Sequence, residues 1–243
     1  METLTLRRTK DRKTANSVMP NGKAARIANA FSLPAGRNYS CPFATDFCDS
    51  ICYAGKLERI YPAFKNVVLH NFDLLKDASL DSMIDMLSEM IQAFDKECDK
   101  ATAKGLDAPK LFRIHADGDF FNLDYAMAWD AIVRDFPDIQ FWAYTRVPFA
   151  AEYLHAANRP NLSLYFSGDK DNLSIARMME DKGIRIAFVA DTFAEARESF
   201  KGARCPEQNN KDFGLITEKG SACARCGLCV FNRGNVLFSA KGR

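Results

Sequence analysis

Hydrophobic positions along the chain recur with two different periods, and segments of the two kinds alternate. Apolar residues three and four positions apart are typical of a helix with one buried face, and they predict helices over Pro62–Lys76 and Leu80–Lys104. Ser79 is placed to cap the second of these helices, and Gly105 is placed to end it. Short apolar runs bounded by polar turns predict strands at Ile27–Leu33, Leu111–His115, Ile139–Tyr144, Leu162–Phe166 and Arg185–Ala190, with a candidate sixth at Val236–Ser239.

The order of these segments indicates the fold class. Further helices are predicted at Leu123–Phe136, Phe149–Ala157, Ser174–Lys182 and Phe193–Phe200. Strands that alternate with helices imply parallel pairing and right-handed crossovers. The pattern therefore predicts an α/β fold, and it favours a partial (β/α) barrel of the TIM type over a flavodoxin-like open sheet. We expect a basic, flexible N-terminal arm over 1–26 and the barrel over 27–203. A cysteine-rich, metal-binding extension is expected over 204–243.

Composition narrows the classes of function. Lys and Arg total 33 against 31 Asp and Glu, a net charge of +2, which disfavours a dedicated nucleic-acid or membrane-surface binder. The arm alone has seven Lys and Arg against two acids, so nucleic-acid binding stays open as an alternative that is not favoured. No apolar run approaches the ~20 residues of a membrane helix, and the start METLTLRRTK has no apolar signal core. We therefore expect a cytoplasmic protein with its thiols reduced.

Eight cysteines stand out in such a chain. One group has the spacing C-x6-C-x3-C inside Pro34–Gly55, which is predicted to be a long polar loop; these loop cysteines are Cys41, Cys48 and Cys52. The second group has the spacing C-x17-C-x2-C-x2-C; these C-terminal cysteines are Cys205, Cys223, Cys226 and Cys229. Thiolates at such spacings can converge on a metal, and a C-x2-C-x2-C run favours iron–sulfur ligation over zinc. Cys98 instead extends the apolar stripe of a predicted helix, so we expect it in the core.

Polar residues collect where the predicted strands end, the edge at which α/β folds usually place their active sites. Asp117, Asp119, Tyr144 and Arg146 are the candidate catalytic residues, expected to hold cofactor or substrate. Gly118 would let a ligand approach the backbone, which makes Gly118 and Asp119 candidate cofactor-binding residues. Arg146 could bind a carboxylate or phosphate, or form a structural ion pair.

Two stretches resemble the gene product 88 family of bacteriophage and bacterial proteins. They are CPFATDFCDSICYAGKLERIYPAFKNVVLHN and HADGDFFNLDYAMAWDAIVRDFPDIQFWAYTR, which span most of Phe31–Arg146. That family has no assigned activity, so the resemblance implies membership of the family and no particular function. If the chain is phage-encoded, its expected location is the host cytoplasm.

The cysteine loop after the first strand also resembles radical S-adenosylmethionine enzymes. That resemblance implies a partial (β/α)6 barrel, a [4Fe–4S] cluster on the three loop cysteines with one iron left for S-adenosylmethionine, a glycine turn at Gly118, and a second, auxiliary cluster on the four C-terminal cysteines. The usual motif of those enzymes is C-x3-C-x2-C, whereas the loop here is C-x6-C-x3-C with Tyr53 after its last cysteine. The first site could instead take a fourth protein ligand, from Asp46, Asp49 or the distant cysteines.

These observations predict an iron–sulfur protein with two clusters, acting as a radical enzyme-like oxidoreductase or transferase on a small molecule or with a redox partner protein. One alternative is a non-catalytic electron carrier or redox sensor. The other is a zinc-stabilised nucleic-acid-binding protein.

Overall fold

The computed structural model describes residues 5–11, 13–14, 26–209, 216–217 and 220–241. Its elements, in chain order, are β1 (Ala30–Ser32), α1 (Asp46–Ile51), α2 (Tyr53–Ile60), α3 (Pro62–Leu75), α4 (Leu80–Ala103), β2 (Leu111–Asp117), α5 (Leu123–Asp135), β3 (Gln140–Thr145), α6 (Pro148–Ala157), β4 (Leu162–Gly168), a 3-10 turn (Lys170–Asn172), α7 (Leu173–Asp181), β5 (Arg185–Ala190), α8 (Phe193–Ser199), β6 (Ala203–Arg204), α9 (Pro206–Asn209), β7 (Ile216–Thr217), β8 (Gly220–Ser221), α10 (Ala222–Cys226) and β9 (Val236–Ser239). In this part of the chain no helix is both long and apolar enough to cross a membrane.

Seven strands form one parallel sheet in the order β1-β2-β3-β4-β5-β9-β6. The predicted α/β class and parallel pairing are confirmed. The first five strands follow chain order in one direction, as in a barrel. Within the described residues, however, β1 and β6 are the two edges and do not pair with each other, so a closed or partial barrel is not confirmed.

The two faces of the sheet have different coverings. Phe112, Phe141 and Leu164 point to one face, where they share a core with residues of α4, α5 and α6. Side chains alternate along a strand, and parallel neighbours in register share a face. The opposite face, called here the inner face, therefore carries Arg113, Trp142, Tyr144, Ser163 and Tyr165.

The C-terminal segment covers this inner face. The Ser163 hydroxyl donates to the Val230 carbonyl at 2.7 Å, and the Tyr165 hydroxyl donates to the carbonyls of Leu228 and Gly234 at 3.1 and 3.0 Å. After this cover the chain enters the sheet as β9, which confirms the candidate strand at Val236–Ser239 and places it between β5 and β6. The cysteine-rich extension thus supplies both a strand and the lining of one face.

The described residues of the N-terminal arm pack against the same region. Thr9 forms an antiparallel bridge with Ala30, and Asp11 forms a 3.0 Å ion pair with Arg113. The carbonyl of Lys13 accepts from the Cys223 amide at 2.9 Å. These residues are held by the sheet and are not a free tail; the arm's other residues lie outside the described ranges.

The stretch predicted as one long loop over Pro34–Gly55 instead contains α1 and the start of α2. Thr45 caps α1, with its hydroxyl accepting from the Cys48 amide at 3.0 Å. Six residues are too few to show an apolar period, which is why the pattern missed this helix. The longer helices lie within a residue or two of their predictions, and Cys98 is confirmed in the core, 1% exposed.

Candidate metal centres

The loop cysteines lie at the carboxyl ends of β2, β3 and β4, the edge that the sequence predicts. The Thr45 hydroxyl donates to Asp169 Oδ2 at 2.6 Å, and the amide of Phe47 donates to Asp171 Oδ2 at 2.8 Å. Asp169 directly follows β4, so these two bonds fix the start of α1, and with it Cys48, against the end of that strand. On the other side, the Tyr53 hydroxyl donates to the Ala116 carbonyl of β2.

The three loop thiols are electrostatic neighbours. Burial raises the pKa of Cys41 to about 12, with Asp119 adding to the rise and Cys48 contributing less. Burial also raises the pKa of Cys48; Arg146 opposes this effect, and Cys52 reinforces it. The amide of Gly55 donates to Cys52 Sγ at 3.4 Å, the kind of bond that stabilises a thiolate ligand. The fold therefore brings the three cysteines into one polar neighbourhood.

Asp119 connects the ends of two strands beside these thiols. Its carboxylate accepts from the Thr145 hydroxyl at 2.6 Å and from the amides of Arg146 and Phe120 at 2.8 and 2.7 Å. Burial raises its pKa to about 6, against these bonds, which lower it. Asp119 thus ties the end of β2 to the end of β3.

Gly118 allows the cysteine loop to approach β2. Its φ is +87°, and a Cβ there would lie 2.6 Å from Ser40 Oγ and 2.7 Å from Leu33 Cβ. The residue next to Cys41 therefore occupies the space that the sequence assigned to a ligand. What requires glycine here is close packing of protein against protein.

Arg146 forms a buried ion pair, the second of its two predicted roles. Its Nη1 lies 2.5 Å from Asp169 Oδ2, and the Asp169 side chain is fully buried. A hydrogen bond from Arg146 also lowers the pKa of Cys48. Its guanidinium therefore provides positive charge beside the loop thiols while fixed by a carboxylate.

Asp117 differs from Asp119 in being incompletely paired. Only 6% of the residue is exposed, yet its Oδ1 has no hydrogen-bond partner among the described residues. Burial raises the pKa of Asp117 to about 6; Arg113 lowers it, and Glu58 raises it further. Of the acids considered as a fourth ligand, Asp46 pairs with Arg37 at 2.5 Å and Asp49 with the same Arg37 at 3.3 Å.

The C-terminal cysteines lie together on the inner face. Burial raises the pKa of Cys229 to about 11, with Cys205 and Cys226 contributing to the rise. Burial likewise raises the pKa of Cys223 to about 12, with a smaller contribution from Cys229. The four cysteines, which span 25 positions of sequence, thus influence one another electrostatically. The fold allows this because β6 pairs with β9 and α10 contacts α9, the helix that follows Cys205.

Tyr144 belongs to this second group and not to the strand-end cluster. A hydrogen bond from Tyr144 lowers the pKa of the Cys229 thiol. The neighbouring Thr145 points the other way, toward Asp119. Tyr144 and Arg146 are two positions apart, and strand alternation alone would place them on the same side. Arg146, however, lies beyond the last residue of β3, and its guanidinium turns to Asp169 at the strand ends.

Arg113 is the residue that sequence reasoning missed. Its guanidinium lies 5.3 Å from the centroid of the Tyr144 ring, pairs with Asp11, and lowers the pKa values of Cys223 and Cys229. Its Nε is buried without a hydrogen-bond partner in the described part of the chain. The available signal was a charged residue inside the otherwise apolar run LFRIH.

Metal coordination itself is not seen in the geometry. Among the described residues, no group of three or more His, Cys, Asp or Glu side chains is positioned to hold a metal ion. The eight cysteines are all free thiols.

Comparison with known proteins gives a consistent result. The gene product 88 family model matches residues 4–232. The chain is 56% identical over 238 residues to the gene 88 protein of Mycobacterium phage D29, covering 96% of this chain and 97% of that protein. It is 55% identical over 238 residues to the gene 88 protein of Mycobacterium phage L5, with the same coverage. No solved structure matches, and the resemblance to radical S-adenosylmethionine enzymes is not shown by these comparisons.

Proposed function

The chain belongs to the gene product 88 family, and from its side chains we propose that it is an iron–sulfur protein with two clusters, one at each cysteine group. The loop cysteines would hold the reactive cluster and the C-terminal cysteines a fully ligated one. The names of the phage relatives state no activity, so the proposal depends on the chemistry of this chain.

Arg113 is the observation that carries the proposal. A guanidinium has five N–H donors, and burying one with donors unused is costly. Here the Nη1 of Arg113 lies 3.0 Å from Asp11, and its Nε has no hydrogen-bond partner among the described residues. The positive charge of this guanidinium also lowers the pKa values of two thiols of the C-terminal group, Cys223 and Cys229. Thiolates that ligate a metal are anionic, so a metal–sulfur centre at this position would complete the surroundings of a buried cation.

The loop group suits a centre with incomplete protein ligation. It offers three coupled thiols, and both nearby acids considered as a fourth ligand are paired with Arg37. A cluster whose fourth iron lacks a protein ligand can bind and reduce a small molecule at that iron. Arg146 would balance negative charge there, and Asp117 has a buried acceptor atom, Oδ1, with no hydrogen-bond partner among the described residues.

The location of the loop group also supports catalysis over passive electron transfer. Carboxyl ends of parallel strands are where α/β enzymes bind their substrates. The one-way strand order is in keeping with a partial barrel, in which this edge would be the mouth. S-adenosylmethionine is then a candidate co-substrate, and a small molecule or redox protein is the candidate partner.

Metal analysis of anaerobically purified protein tests the proposal. Iron with acid-labile sulfide is expected, and Cys52→Ala and Cys226→Ala should each remove about half of both, because each disrupts one cluster. Cys98→Ala is the matched control and should retain all the iron, since Cys98 lies in the core. Zinc without sulfide would overturn the proposal, as would full iron retention in both site variants.

Electron paramagnetic resonance then separates catalysis from electron transfer. The reduced wild-type protein is measured with and without S-adenosylmethionine. We expect a spectral change that disappears in Cys52→Ala and persists in Cys226→Ala. An unchanged spectrum would favour the electron carrier or redox sensor.

A further inference from the structure

We propose that α2 and the first turn of α3 form a binding surface for single-stranded nucleic acid beside the loop cysteines. This nucleic-acid surface is defined by Tyr53, Lys56, Arg59, Tyr61 and Lys65. It goes beyond the proposed function and does not depend on either cluster being present.

Exposed aromatic side chains are concentrated in this part of the molecule. Tyr53 is 57% exposed and Tyr61 is 56% exposed. Nearby in the cysteine loop, Tyr39 and Phe43 are also exposed, and Phe43 contacts the exposed ring of Phe149. Exposed aromatic rings are the platforms on which unpaired bases stack.

Positive charge accompanies these rings. Lys56, Arg59 and Lys65 are exposed, and none forms a salt bridge within the described residues, unlike Arg37 in the preceding loop. The only acid between positions 50 and 72 is Glu58, whose Oε1 accepts from the Ala35 amide at 2.8 Å. The surface is therefore locally basic in a protein whose net charge is only +2.

The helix arranges aromatic and basic groups side by side. Tyr53, Lys56 and Ile60 are spaced i, i+3 and i+7 in α2, so they follow one face, and all three are exposed. Cations beside stacking rings match a strand that offers phosphates and unstacked bases. An acidic peptide would satisfy the cations alone, and a duplex would hide its bases from the rings.

Fluorescence anisotropy with short labelled oligonucleotides tests this surface. The probes are a thymidine single strand of about 12 nucleotides, within the range of known single-strand site sizes, and a duplex of the same length. We expect salt-sensitive binding of the single strand and weaker binding of the duplex. Lys56→Glu combined with Arg59→Glu should weaken single-strand binding about tenfold or more, and Tyr61→Ala by a comparable factor.

The matched control reverses two charges elsewhere. Lys100 and Lys104 are exposed on and just after α4, and changing both to Glu gives the same net charge as the site variant. This control should retain binding within about twofold, because it alters only the long-range field. Circular dichroism of each variant confirms that it is folded.

Three results would overturn the proposal: no single-strand binding by the wild-type protein at physiological salt, equal losses in the control and the site variant, or equal binding of poly-glutamate. Wild-type protein from which a chelator has removed the iron should bind the oligonucleotide as tightly as the untreated protein. Metal analysis therefore tests the cluster proposal, and anisotropy tests the nucleic-acid surface, independently of each other.

Discussion

Burial governs the chemistry of individual side chains around both cysteine groups. It raises the pKa values of Cys41 and Cys223 to about 12, so these thiols are protonated at neutral pH without a metal. Metal binding must then release protons, and affinity should rise with pH. Burial also raises the pKa of the Asp117 carboxyl group to about 6. An aspartate is ionised in water at neutral pH, so burial of this carboxylate costs free energy.

Asp117 should therefore make the fold less stable as pH rises. Its ordinary pKa of 3.8 is raised in the folded state, so its contribution favours the fold below about pH 4 and is lost as pH passes through about 6. Asp117→Asn removes the buried charge and should raise the free energy of unfolding at pH 8 by about 3 kcal/mol, with little change at pH 4. Denaturant unfolding at both pH values measures this.

Asp138→Asn is the control for that measurement. Asp138 is exposed, so its replacement should leave the unfolding free energy nearly unchanged at both pH values. An equal gain for Asp117→Asn at pH 4 and pH 8 would contradict the electrostatic explanation.

At the scale of elements, the turn between β2 and α5 decides how closely the cysteine loop approaches the sheet. Gly118 and Gly105 both have positive φ, at +87° and +71°. Only Gly118 has protein atoms where a Cβ would lie, whereas Gly105 has nothing within 4 Å. The pair separates the cost of backbone conformation from the cost of steric overlap.

Gly118→Ala should therefore destabilise the protein more than Gly105→Ala. We expect about 1 kcal/mol for Gly105→Ala, from backbone conformation alone. Gly118→Ala should cost roughly 2 kcal/mol more, because Ser40 and Leu33 must move. Chemical denaturation measures the unfolding free energy of both variants. Equal decreases would show that the cysteine loop moves away from the added Cβ without strain.

Element boundaries could be predicted where a periodic pattern was long. The 24 residues of α4 carry a continuous apolar stripe, so Leu80–Lys104 differs from the observed helix by one residue. The pattern failed for α1, whose start depends on Thr45 and its contact with distant Asp169. Such a helix is stabilised by tertiary contacts, which no local period records.

At the scale of the whole molecule, the two ends of the described chain meet on the inner face of the sheet. Residue 13 bonds to Cys223, and Asp11 pairs with Arg113, while the segment from Leu228 to Gly234 is bonded to β4 through Tyr165. The C-terminal cysteines are therefore positioned by β4, by β9 and by the N-terminal arm together.

Tyr165→Phe should loosen this cover. It leaves the Gly234 carbonyl without the hydroxyl donor and removes one of two donors to the Leu228 carbonyl, which also accepts from the Arg233 amide at 2.9 Å. This loss should lower the free energy of unfolding by about 1–3 kcal/mol. Hydrogen exchange of residues 222–234 should speed up more than that of α4. Tyr39→Phe, at an exposed ring, is the control and should change neither the unfolding free energy nor the exchange rates. Equal changes in Tyr39→Phe and Tyr165→Phe would contradict the role given to the Tyr165 hydroxyl.

Local spacing in the sequence determined the α/β alternation, the parallel strands, the core position of Cys98 and the two cysteine groups. Those properties depend on neighbours a few residues apart, so periodicity and motif spacing record them. Tertiary structure alone decided that Tyr144 joins the C-terminal cysteines while Arg146 joins the loop cysteines, and that Arg113 lies between Asp11 and Cys223. These contacts join residues about 100 positions apart, and they follow from strand order and from which face each side chain takes, neither of which a local pattern contains.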